Sequence, residues 1–178
     1  LVIVGIISKI PKIRVYFFKI FLFWLGWPVK SLADKCRVIY FRTQLKKIGE
    51  NSRISFNVTI NNPENISIGS GTAVNNNVNL GGRGGITIGN DVLIGYKTII
   101  NTSSWNYDNL EIPIKDQGVS SKPITIGNNV WIGARVYISP GVTIGDGAII
   151  GVNSVITKNI PSNTIVAGIP GKIINFRK

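Results

Sequence analysis

The chain has 178 residues, 44% of them hydrophobic, with 20 glycines, one cysteine, no histidine and a formal charge of +12. That length holds one domain with a sizeable core, and the composition excludes both a disordered tail and a collagen-like fibre. A lone cysteine excludes an internal disulfide framework and, with no histidine beside it, argues against a zinc site, so no metal is expected.

The charge is uneven. Residues 1–47 hold ten Lys or Arg against Asp34, a net +9, while the other 131 residues carry ten basic and seven acidic side chains. This extension opens "LVIVGIISKIPKIRVYFFKIFLFWLGWPVK". Lys19 interrupts its aromatic run, so no stretch reaches the roughly 18–20 charge-free residues of a spanning helix. Interleaved charges and the absence of a small-residue cleavage site argue against a signal peptide. Basic side chains among Phe, Trp and Tyr suit amphipathic helices in a membrane interface, against anionic headgroups. The alternative is packing on the body or on a sister subunit. Nucleic acid is not an expected partner, because the body has neither a basic stripe nor a recognised binding motif.

Next comes "SLADKCRVIYFRTQLKKIG", where Leu32, Cys36, Ile39 and the basic residues fall at helical spacing. It is expected to be a helix that caps the adjoining domain and ends near Gly49, with Cys36 a buried thiol rather than a nucleophile.

From Ile48 an aliphatic residue recurs every six positions. The series runs Ile48, Ile54, Ile60, Ile66; then Ile68, Val74, Leu80, Ile86; then Ile88, Ile94, Ile100; and, after an interruption, Ile126, Ile132, Ile138, Ile144, Ile150, Ile156. Four positions later the residue is small or β-branched, as at Thr72, Val78, Val92, Thr98, Val130, Val136, Val142, Ala148 and Ser154. A period of six is neither helical nor the alternation of a free strand. It is the signature of a parallel β-helix, in which three hexads make one triangular coil and residues about 18 apart stack their aliphatic side chains inward. Asn and Gly crowd the corners, where turns need positive φ or local side-chain hydrogen bonds. The predicted domain spans 48–174, with an interrupting loop at 105–123 and a C-terminal tail at 175–178. The stretch "SNTIVAGIPGKIINFRK" is expected to close the last coil, whose open end would expose strand edges.

The run "PITIGNNVWIGARVYISPGVTIGDGAIIGVNSVITKNIPSNTIVAGIPGKII" resembles the bacterial hexapeptide-repeat acetyltransferases, in the branch that acetylates sugar and polysaccharide hydroxyls. The resemblance covers about seven-tenths of the chain and omits its first 47 residues. It implies a left-handed parallel β-helix, an exception to right-handed crossover, assembled as a homotrimer. It also implies acetyl transfer from acetyl-CoA, as co-substrate, to a sugar or lipid-linked glycan acceptor. The implied location is the bacterial cytoplasm, peripheral on the inner membrane's cytoplasmic face, so the sequons at Asn57, Asn65 and Asn101 carry no weight.

In that family the acceptor hydroxyl loses its proton to a histidine on the loop that interrupts the coils, while a neighbouring subunit forms the other wall of the cleft. Counted from the flanking repeats, that histidine falls on Trp105, in "SSWNYD". The family's supporting Asn, thirty residues earlier, falls on Asn75, which the resemblance assigns to holding the acetyl and acceptor groups. Indole has no basic lone pair. Three readings are open. One of the loop carboxylates Asp108, Glu111 and Asp116 is the base, provided burial raises its pKa. Or transfer proceeds by positioning alone. Or the site does no chemistry, and Trp105 with Tyr107 is an aromatic platform for a sugar ring. That last reading makes the chain a non-catalytic trimer binding a sugar or a partner protein. A γ-type carbonic anhydrase is ruled out for want of histidine ligands. For the cofactor, the resemblance implies Ala134 and Val152 along the pantetheine groove. Thr157, Lys158 and Lys172 match family positions near the CoA nucleotide, where a lysine ammonium suits phosphate. The bland alternatives are corner residues and solvated charges.

Overall fold

The structure is a computed structural model that describes residues 30–178, with side chains described from Asp34 onward. Of the extension 1–47 read as membrane-surface or packing helices, residues 1–29 lie outside the described residues. A helix, α1 (Lys30–Arg42), leads into the first coil of a parallel β-helix. The coils are β1 (Lys47–Ile48), β2 (Arg53–Ile54) and β3 (Thr59–Asn61); then β4 (Ile66–Ile68), β5 (Ala73–Val74) and β6 (Asn79–Gly81); then β7 (Ile86–Ile88), β8 (Leu93–Ile94) and β9 (Ile99–Asn101). A hairpin of β10 (Ser103–Trp105) and β11 (Val119–Ser121) interrupts them. The coils resume as β12 (Ile124–Ile126), β13 (Trp131–Ile132) and β14 (Tyr137–Ile138), then β15 (Thr143–Ile144), β16 (Ile149–Ile150) and β17 (Val155–Ile156). The chain closes with β18 (Thr164–Ala167) and β19 (Lys172–Phe176).

These strands stack into three parallel sheets, the faces of a prism. The first face runs β1-β4-β7-β12-β15, the second β2-β5-β8-β13-β16-β18 with β19 added antiparallel, and the third β3-β6-β9-β14-β17. The architecture is the expected left-handed β-helix.

The reason is visible in the register. Ile54, Val74, Ile94, Ile132 and Ile150 succeed one another rung by rung down the second face, and each is buried. All nine of the small or branched residues four positions on are buried too, filling the corners of the interior. Where that residue is polar, the rung itself satisfies it: Thr72 Oγ1 donates to the Gly89 carbonyl at 2.8 Å and accepts from the Val92 amide at 3.1 Å. Fully burying each isoleucine contributes about 1.5–3 kcal/mol, and the repeat sums that term along one axis.

The 18-residue step holds only in the later coils, where Ile126 meets Ile144 and Ile138 meets Ile156. In the first three coils the step is 20, as Ile48 meets Ile68 and Ile68 meets Ile88. The two extra residues enter at the corner between third and first faces, and they lengthen the first-face strands by an inward residue: Ile66, Ile86 and Ile124 stack on one another and are buried. At the corners, eight of the ten non-glycine residues with positive φ among the described residues are Asn or Asp, which tolerate the left-handed region better than other side chains.

At the amino-terminal end, α1 stops at Arg42 rather than near Gly49. The Arg37 Nε donates to the Ile54 carbonyl at 3.1 Å while its guanidinium pairs with Asp34. Phe41 and the buried Leu45 cover the core. Cys36 is half-buried, not buried: it sits on a helix that covers only the end of the solenoid. At the other end, β18 extends the second face and β19 folds back on it, leaving Ile173, Ile174 and Phe176 exposed. No helix among the described residues is long and apolar enough to cross a membrane.

The three faces differ outside. The first presents Lys47, Ser67, Thr87, Thr125 and Thr143. The second presents Arg53 and Ala73 in the early coils and then Leu93, Trp131 and Ile149, and the third Thr59 and Asn79 and then Ile99, Tyr137 and Val155.

Candidate functional site

Five of the residues singled out by sequence lie on one loop. It leaves the third face after β9 and returns to the first face at β12, so it springs from the corner between them, the third corner. Thr102 and Lys122 are its feet. The buried Thr102 donates its hydroxyl to the Gly81 carbonyl at 2.6 Å and accepts the Gly84 amide at 2.8 Å, and its own carbonyl accepts the Lys122 amide at 2.8 Å. Above the feet, β10 and β11 pair antiparallel with Trp105 opposite Val119.

The rest of the loop is organised by side-chain amides. Gln117 Nε2 donates to the carbonyls of Asn109 at 2.6 Å and Ile112 at 2.7 Å, while its Oε1 accepts the Asn109 amide at 3.0 Å. Asn106 Nδ2 donates to the Gln117 carbonyl at 3.0 Å, and its Oδ1 accepts the Ser120 hydroxyl. Asn109 Oδ1 accepts the Glu111 amide at 2.8 Å. The segment 106–118, which has no regular strand, therefore has a definite path, set by three amide side chains that sequence reasoning passed over. The visible signal was their number: uncharged side chains that both donate and accept, clustered where no ladder is available.

On this frame Trp105 is 55% and Tyr107 67% exposed, so two aromatic faces stand in solvent at the position of the expected base. Asp108, Glu111 and Asp116 are exposed as well, and their carboxylates make no ion pair or hydrogen bond among the described residues. Among the described residues nothing buries them, and a carboxylate base needs burial to raise its pKa. Among the described residues no cluster of three or more carboxylate, thiol or imidazole groups is placed to hold a metal ion.

The remaining candidates lie elsewhere. Asn75, Ala134 and Val152 share the second corner, between second and third faces. Asn75 donates both its amide and its Nδ2 to the Ile94 carbonyl, at 3.1 and 2.8 Å. Ala134 and Val152 occupy the same corner position on successive rungs, tied by the Asn153 amide donating to the Ala134 carbonyl at 2.9 Å. Glycine precedes each of them because the rungs touch there: a Cβ on Gly133 would lie 2.8 Å from the Val152 nitrogen, and one on Gly95 2.6 Å from that of Ala134. The rungs therefore close against one another there through main-chain groups. Thr157 and Lys158 are exposed on the third corner of the last full coil, and Lys172 is exposed at the start of β19. The structure thus brings Ala134 and Val152 together, and Trp105 and Tyr107 together, but the width of the third face separates Asn75 from Trp105 within one chain.

Residues 123–158 match the family model described as bacterial transferase hexapeptide (six repeats). In sequence, the chain is 40% identical over 60 residues to the galactoside O-acetyltransferase of Escherichia coli strain K12, a match that takes in 34% of this chain and 30% of that one. Such matches span less than a third of the curated relatives' own length. Solved structures align much further. A galactoside acetyltransferase in complex with coenzyme A superposes with a TM-score of 0.77 at 33% identity, over 91% of this chain and 80% of that one. A hexapeptide-repeat acetyltransferase of Vibrio cholerae O1 biovar eltor, complexed with acetyl-coenzyme A, gives 0.75 at 33% identity, over 81% and 78%.

Proposed function

The chain belongs to the hexapeptide-repeat acetyltransferases, and from that premise we propose that it transfers an acetyl group from acetyl-CoA to a sugar hydroxyl. The acceptor is a sugar of a surface polysaccharide or of its lipid-linked precursor. The observation that carries the reading is the second corner, where Gly95, Gly133 and Gly151 let successive rungs close against one another through main-chain groups beside Ala134 and Val152. Relatives solved with coenzyme A and acetyl-coenzyme A share this coil architecture.

The working unit is a homotrimer. Apolar outer rungs in the later coils of the second and third faces, against Ser and Thr on the first, support contact between copies on those two faces. In the proposed trimer the third-corner loop of one copy reaches across the interface toward Asn75 and Ala134 of the next. In that cleft Asn75 holds the acetyl and acceptor groups, while Val152, Thr157, Lys158 and Lys172 line the path of the CoA. The acceptor oxygen attacks the thioester carbonyl as its proton passes to a loop carboxylate, the carbon–sulfur bond breaks, and that carboxylate returns the proton to the departing sulfur, which leaves as the free thiol. Trp105 cannot take that proton; its ring packs against the sugar, and Asp108, three residues on, accepts it once the neighbouring copy shields the loop. Residues 1–47 hold the trimer at an anionic membrane surface, beside a lipid-linked acceptor.

A second reading has its own support: two exposed aromatic faces and no basic nitrogen on the loop suit a trimer that binds a sugar or a partner without transferring anything. Calorimetric titration with acetyl-CoA separates them. One site per subunit at micromolar affinity sustains the transferase reading, and no binding at millimolar acetyl-CoA sinks it.

A further inference from the structure

Of the ten non-glycine residues held at positive φ among the described residues, two are neither Asn nor Asp: Lys97 at φ 59° and Arg135 at φ 57°. Both belong to the second corner, where the matching position on the rungs before and after is Asn77 (φ 60°) and Asn153 (φ 58°). They are consecutive in the stack. The Lys97 amide donates to the Asn76 carbonyl at 3.1 Å, the Arg135 amide to the Tyr96 carbonyl at 2.8 Å and the Asn153 amide to the Ala134 carbonyl at 2.9 Å. Neighbouring rungs of a sheet are about 4.8 Å apart, so the fold sets the backbones of two basic residues side by side.

Each feature is unfavourable. A long side chain in the left-handed region is strained where Asn or Gly is not, and like charges on adjacent strands repel. Nothing among the described residues offsets this. Lys97 and Arg135 are exposed and make no ion pair among the described residues. None of the eight acidic residues lies on this corner: Glu50, Asp91 and Asp146 are on the first, and the others are on α1, the third corner or its loop. Two independent costs coincide at one place, and a single bound anion offsets both.

We propose that Lys97 and Arg135 form a phosphate-binding step on the second corner, one residue beyond Tyr96 and Ala134. A phosphate or diphosphate oxygen array bridges the two rungs, with the guanidinium giving paired hydrogen bonds and the ammonium a point charge. The inference rests on the transferase reading only for which ligand brings the phosphate, the acyl-CoA or a phosphate-linked acceptor.

The test replaces both residues by the side chain their neighbours carry, Lys97→Asn with Arg135→Asn, in the full chain. Because Asn is at ease in this conformation, the variant should melt at the same temperature as the wild type or higher, which removes misfolding as an explanation. Inorganic pyrophosphate, acetyl-CoA and S-acetylpantetheine are then titrated calorimetrically. Losing charge-assisted hydrogen bonds should weaken pyrophosphate by about tenfold or more, and its salt dependence should flatten. If acetyl-CoA weakens alongside while phosphate-free S-acetylpantetheine does not, the phosphate is the cofactor's; if acetyl-CoA is unchanged, it is the acceptor's. Failure of the wild type to bind acetyl-CoA would overturn the transferase reading yet leave the pyrophosphate result to stand. Equal affinities of wild type and variant for both pyrophosphate and acetyl-CoA would overturn the phosphate step. So would a variant whose copies separate with phosphate binding intact, since the pair would then serve the loop carboxylates of another copy.

Discussion

Restoring an imidazole to the loop, Trp105→His, tests where the reacting hydroxyl sits. The fold should tolerate it. Trp105 is 55% exposed, and its main structural tie is the cross-strand position opposite Val119, a kind of pair worth roughly 0.2–1 kcal/mol. The hairpin backbone stays held by Asn106 donating to the Gly118 carbonyl at 3.0 Å and by the Thr102 foot. Stability should therefore fall by less than about 1 kcal/mol. General-base assistance contributes about 10²–10⁴-fold, or roughly 3–5 kcal/mol off the barrier. Asp108 already takes the proton in the proposed mechanism, so the comparison is made in an Asp108→Asn background. There Trp105→His should raise turnover within that range, read as thiol released from acetyl-CoA in the presence of a sugar panel, with KM for acetyl-CoA little changed. The gain depends on neutral imidazole. It should be full above the usual histidine pKa of about 6.5 and fade as pH falls through it. Trp105→Gln, polar but without a base, should show no such gain. If Trp105→His folds and binds acetyl-CoA yet turns over no faster than Trp105→Gln, position 105 is not where the proton leaves.

Two further outcomes are expected from the frame around that residue. Gln117→Leu removes three hydrogen bonds that one side chain makes across the loop, each worth about 0.5–1.5 kcal/mol; amide exchange over residues 106–117 should accelerate by one to several orders of magnitude with no change in the melting temperature, and unaltered protection would show that the amide does not hold the loop. Ile132→Ala, in the fully buried stack between Ile94 and Ile150, should cost about 2–5 kcal/mol, seen as a lower denaturation midpoint at unchanged slope; a loss under about 1 kcal/mol would mean that the coils collapse onto the gap.

The fold was readable in sequence because a β-helix repeats one decision. Each inward position needs an aliphatic side chain and each following corner needs a small one, so the same six-residue pattern is written many times over and chance agreement at single positions does not matter. Departures from the plain hexad were visible only as shifts of two. What those shifts do, adding Ile66, Ile86 and Ile124 as a second inward stack on the first face, needs the register. The helix end at Arg42 and the half-buried Cys36 were misread for a related reason: outside the repeats, helical spacing alone marks neither where a helix stops nor how much of it is covered.

The site was less readable, and the reason is geometric. Corner identity comes from counting strands in threes: Asn75 lies just after a second-face strand, Trp105 after a third-face one. In a straight prism residues on different corners stay apart however many coils intervene. A sequence comparison can pair Asn75 with Trp105 by spacing, yet a single solenoid cannot bring them together. Either they never act together, or a second copy supplies one of them. The exposed carboxylates point the same way, for a base must be desolvated and the described residues leave all three in water. The interior, by contrast, is complete in one copy, with no buried side-chain polar atom lacking a partner among the described residues. Stability is therefore a property of the chain, and chemistry, on the transferase reading, a property of the contact between chains. Variants that separate the copies should abolish turnover while leaving the unfolding transition of each solenoid in place.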